Sequence, residues 1–150
     1  MFPITHIGSR HLQSLTATTT LSKAHANCLL LMGAAGAALT FKLPEATGTG
    51  DIYTFMVSVV NTSNYIVNVT TTDTIDGMVW TASTGDTPDL GQPWVTAATS
   101  DTVTLNGTTT GGVAIGDYLQ CIDIADAQWA INGVTTTSGT EATPFSAAVS

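Results

Sequence analysis

Residues 116–134 read GDYLQCIDIADAQWAINGV. Two alternating apolar segments meet at Ala125-Asp126-Ala127, a pattern that reads as a β-hairpin. On the first segment Tyr118, Gln120, Ile122 and Ile124 share one face, while Leu119, Cys121 and Asp123 share the other. On the returning segment Trp129 and Ile131 point inward. Asp126 belongs to the turn, and the clustered acids are expected at turns and edges, where charge discourages pairing with other chains. Apolar side chains occupy both faces of the first segment. That strand is therefore expected to be covered on both sides, by the core and by a neighbouring subunit or arm.

Working outward, Leu39, Phe41 and Leu43 alternate with Thr40 and Lys42 before Pro44, the pattern of a half-buried strand. Residues 51–60 and 65–70 read as two more strands around the turn Asn61-Thr62-Ser63-Asn64. Asp76-Gly77 has the composition of a hairpin turn leading into Met78-Val79-Trp80-Thr81. Val103 and Leu105 face inward on a further strand, and residues 26–32 suit either a strand or a short buried helix. Residues 83–99 carry several glycine and proline breaks and are expected to form a long surface loop, with Trp94 folded back or used in a contact. Trp80 and Trp129 are expected in the core. No sustained helical stripe occurs. The expected fold is all-β, an antiparallel β-sandwich or β-barrel-like domain over residues 15–137. An N-terminal arm, 1–14, and a C-terminal tail, 138–150, flank it.

Composition narrows the function. Charged residues are 9% of the chain against 43% hydrophobic, so Thr, Ser, Asn and Gly must build the surface, or other subunits must hide part of it. The net charge is −8 and only Arg10, Lys23 and Lys42 are basic, too few to neutralise phosphates; nucleic acid and anionic membrane are excluded as direct partners. The longest apolar run, Cys28 to Leu39, is about half the ~20 residues that span a bilayer, and the first fifteen residues lack a signal-peptide pattern, so a soluble protein is expected. Cys28 and Cys121 sit in apolar runs and read as free, buried thiols.

Candidate chemistry is sparse. His6, His11 and His25 all fall in the first 25 residues, and no zinc, serine-hydrolase or CxxC motif occurs. The pairs Asp73/Asp76, Asp86/Asp89 and Asp123/Asp126 offer oxygen ligands for Ca²⁺, but Asp is also a common turn former, so no metal or other cofactor is assigned. Neither a nucleophile–base pair nor a cleft for paired carboxylates is legible, and a non-enzymatic protein is expected.

Two halves of the chain carry a resemblance. Leu39-Thr40-Phe41-Lys42-Leu43-Pro44, a glycine turn and Tyr53-Thr54-Phe55-Met56-Val57 resemble the opening of small phage head proteins. Residues 101–112, then Gly116-Asp117-Tyr118 and the hairpin ending at Gln128-Trp129, are similar to their C-terminal half. The family is the capsid decoration (cement) proteins of tailed bacteriophages, including those of cyanobacterial hosts, and the similar texture covers residues 15–140. It implies a homotrimer on the outer capsid surface of the virion, seated at local three-fold points and clamping the major capsid protein. Phe2, Pro3, Ile4, His6, Ile7 and Arg10 of the arm, with Phe145 of the tail, are the expected capsid or subunit contacts. An alternative reading is a fibre-type or carbohydrate- or receptor-binding β module, with Trp94 as the glycan contact.

Overall fold

A computed structural model describes residues 11–85 and 91–149, and among these residues twelve strands form. The first six are β1 (Leu12–Leu15), β2 (Thr19–Thr20), β3 (Leu29–Met32), β4 (Leu39–Lys42), β5 (Ile52–Val57) and β6 (Tyr65–Asn68). The rest are β7 (Thr74–Ser83), β8 (Gly91–Val95), β9 (Thr102–Leu105), β10 (Tyr118–Ala125), β11 (Gln128–Thr137) and β12 (Phe145–Ser146). A 3₁₀ turn at Lys23–His25 is capped by Ser22, whose hydroxyl accepts from the Ala24 N–H. A seven-stranded sheet runs β1-β3-β5-β10-β11-β7-β8 and a five-stranded sheet runs β12-β9-β6-β4-β2. They pack face to face as a sandwich, as the alternation predicts.

The core lies between the sheets. From the five-stranded sheet come Leu39, Phe41, Val67, Val103 and Leu105; from the seven-stranded sheet come Leu30, Phe55, Leu119, Trp129 and Ile131. Phe41 stacks on Phe55 at 5.9 Å and on Tyr65 at 6.2 Å, and Tyr53 meets Trp129 edge-on at 5.6 Å. Such pairs add about 0.5–1.5 kcal/mol each beyond the area they bury. The hairpin at 116–134 forms as read, with Leu119 opposite Gly133 and Cys121 opposite Ile131, and it turns at Asp126-Ala127. Residues 29–32 resolve to strand rather than helix.

Strand direction departs from the expected antiparallel pairing, because both sheets are mixed. β1, β3 and β5 run parallel, as do β2, β4 and β6, and β7 lies parallel to β11 over ten paired residues. Period-two alternation specifies which side chains face inward but carries no information on the direction of the neighbouring strand. Asp76-Gly77 makes no hairpin; both lie inside β7. Gly77 has φ +144°, and a Cβ there would run into the Ile131 carbonyl, so glycine lets β7 close on β11. Part of the expected 83–99 loop is β8, which pairs antiparallel with β7. At the termini of the domain, residues 12–14 of the expected arm belong to β1, and the expected tail contributes β12, paired with β9.

Candidate interaction surface

Among the described residues, several groups able to do chemistry are committed to the fold. His25 Nδ1 accepts the Ser22 N–H at 3.1 Å, while Cys28 Sγ faces Ala24 O and Gln13 Nε2, so imidazole and thiol form no pair. Cys28 and Cys121 are both buried and unbridged. Burial pushes the Cys121 thiol up to about 12, far from the thiolate a nucleophile requires. Among the described residues, no three His, Cys, Asp or Glu side chains come together as metal ligands, and no pocket opens. No helix among them is long and apolar enough to cross a membrane.

The aspartates have a different role from the one expected. Asp123 is buried, not at an edge, and its carboxylate fills the loop before β5. It accepts the N–H groups of Thr47 at 3.0 Å, Gly48 at 2.6 Å and Thr49 at 3.1 Å, and the Thr49 hydroxyl at 2.8 Å. Burial raises its pKa, but the bonds from Thr49, Gly48 and Thr47 together outweigh burial and hold it below the ordinary carboxylate value. Asp117 likewise accepts the Gly112 and Thr136 N–H groups at 2.9 and 2.8 Å, and Asp101 accepts the Ala148 N–H at 2.7 Å. Asp73 accepts the Ala46 N–H at 2.9 Å. Its sequence neighbour Asp76 faces the other way, to Gln128 Nε2 at 2.7 Å, and Asp126 is exposed where Asp123 is buried. Each of these two pairs is therefore split between the inside and the outside of the sandwich, and neither shares a cation position; Asp86 and Asp89 lie outside the described residues.

The two outer faces differ sharply. The strand residues facing out of the five-stranded sheet are largely polar, among them Thr40, Lys42, Asn68 and Thr104. On the seven-stranded sheet one row of cross-strand neighbours starts at Ser14 and runs Leu31, Met56, Tyr118, Val134, Trp80, Pro93. The row beside it begins at Leu12 and Leu29, passes Thr54, Gln120 and Asn132, and ends at Met78 and Val95. Trp80 is 45% exposed and Val134 43% exposed. Among the described strand residues, the one carboxylate facing this way is Asp76, in a third, shorter row with Ile52, Ile122 and Ala130.

Of the expected contact residues, Phe2, Pro3, Ile4, His6, Ile7 and Arg10 lie outside the described residues. Phe145 is in the core, opposite Val103, so it presents no free contact surface. Trp94 packs partly buried against the core with its indole N–H enclosed, while Trp80, expected in the core, is the surface tryptophan, its ring lying over Gly91. The one sequence signal for the exposed face was the two-sided apolarity of residues 118–124; its extent needed the register of strands distant in the chain. In comparisons with protein-family models, curated proteins and solved structures, nothing matches this chain.

Proposed function

We propose that this chain is a structural virion protein that binds the outer surface of a tailed-phage capsid as a homotrimer and stabilises the major capsid lattice. The resemblance of residues 39–57 and 101–129 to decoration proteins supports this reading. The observation that carries it is the nearly uncharged outer face of the seven-stranded sheet, with Met78, Trp80, Val95 and Val134 exposed together on it. A contiguous apolar surface on a sheet marks a protein that works in an assembly. Phe2, Pro3, Ile4, His6, Ile7 and Arg10 then supply the capsid contacts.

The test mixes purified protein with undecorated capsids of its phage and measures occupancy and capsid heat resistance. Saturable binding with a more heat-resistant shell is expected; a full chain that does not bind refutes decoration. Deleting residues 1–10, which leaves β1 whole, is expected to abolish binding. Unchanged occupancy would remove the arm from the contact. A second reading, glycan binding, is favoured by the exposed Trp80 beside Pro93, and saturable glycan binding lost in Trp80→Ala would replace decoration.

A further inference from the structure

We infer that the outer face of the seven-stranded sheet is the contact with a second copy of this chain. This deepens the assembly reading by naming a surface and its occupant. It rests on the sheet alone, so a chain that self-associates but binds no capsid would leave it standing.

The contrast between the two faces is the starting point. An isolated sandwich has two solvated outer faces, both expected to be polar, and here the five-stranded sheet meets that expectation. The seven-stranded sheet instead carries Met78, Trp80, Val134 and Val95 into solvent as cross-strand neighbours in adjoining rows. This is one patch of the kind that single domains keep small.

Charge then selects the occupant. Two copies of a chain with net charge −8 repel each other least where they meet through a surface poor in carboxylates. The two full rows across this face contain no ionised side chain, and the carboxylate at the end of the third, Asp76, is already bonded to Gln128. A partner recognised through its charge would find no complement there.

Area agrees. Each position on the face covers ~4.8 Å along the sheet and ~6.7 Å along the strand, and the face holds two rows that cross all seven strands and a third that crosses four. The projected area, roughly 500–600 Å² per copy before side-chain relief is added, means two copies together clear the ~1,000 Å² that a specific interface requires. The alternative cover, residues 1–10 of the same chain, offers Met1, Phe2, Ile4 and Ile7 as its large apolar side chains, few against a face that crosses seven strands.

The test is the mass of the full chain in solution, by sedimentation or light scattering from sub-micromolar to about 100 μM. A dimer or trimer is expected. Val134→Asp and Met78→Asp, each on the face and exposed, should weaken association by about 100-fold or more, because a charge would be buried without a partner. Their far-UV circular dichroism should stay unchanged. Ile115→Asp, also exposed but outside the strands, should associate as the parent does. A parent chain that remains monomeric, or face variants that associate normally, overturns the inference. So does a monomeric parent that begins to associate once residues 1–10 are removed, which would make its own arm the cover.

Discussion

Replacing Asp123 with asparagine keeps the size of the side chain but changes what it offers to the Thr47–Thr49 loop. The carboxylate accepts three backbone N–H groups and one hydroxyl, all between 2.6 and 3.1 Å in their shortest contacts. Asparagine retains one accepting oxygen and turns an NH₂ group towards the Thr49 N–H and hydroxyl, so at least two charge-assisted bonds are lost and the Thr49 N–H is left facing another donor. Bonds to a charged acceptor contribute about 1.5–3 kcal/mol each, and losses within one network do not add fully, so the expected cost is about 3–5 kcal/mol. Against a total stability of about 5–15 kcal/mol this is a large fraction. Urea unfolding should show the midpoint falling by ~1–3 M with an unchanged slope. pH gives an independent signature. The folded-state pKa of Asp123 lies below its unfolded value of ~3.9, so the stabilisation is fully present above that value and is lost as pH falls through the folded pKa. The gap between parent and Asp123→Asn should therefore be constant near neutrality and narrow below about pH 4. A loss under ~1 kcal/mol, or a gap that stays the same down to about pH 3, would refute the view that this carboxylate holds the loop as an ion.

Two further outcomes follow from the packing. With Cys28 replaced by serine, native protein at mildly alkaline pH should give no fast reaction with a thiol reagent, and one thiol per chain after denaturation, because Cys121 is fully enclosed with its pKa near 12; rapid native labelling would contradict that burial. Phe145→Ala should lower thermal stability by about 3 kcal/mol, since the ring belongs to the subunit's own core, and a neutral effect would return Phe145 to the surface.

How far the fold was legible in the chain follows from the range of each interaction. Leu39, Phe41, Val103, Leu105, Trp129 and Ile131 all turn inward as their alternation predicts, because facing along a strand is set by the pleat of a few consecutive residues. The hairpin at Asp126-Ala127 was legible for the same reason: its partners are adjacent in sequence. Trp80 alternates with the buried Val79 and Thr81, yet its residue type predicts core, because an aromatic residue on a strand is ordinarily buried. Its exposure depends on the strands that flank it.

Residue order alone specifies an all-β domain, most of the inward faces and the buried, unpaired state of both cysteines. The folded arrangement adds which strands run parallel, that Asp123 turns inward to a loop more than seventy residues earlier, and that seven separate strands bring apolar outer residues onto one face. Alternation is a local property of the backbone. Strand direction, carboxylate partners and a continuous surface all arise from pairings between distant segments, which a single chain's residue order does not specify.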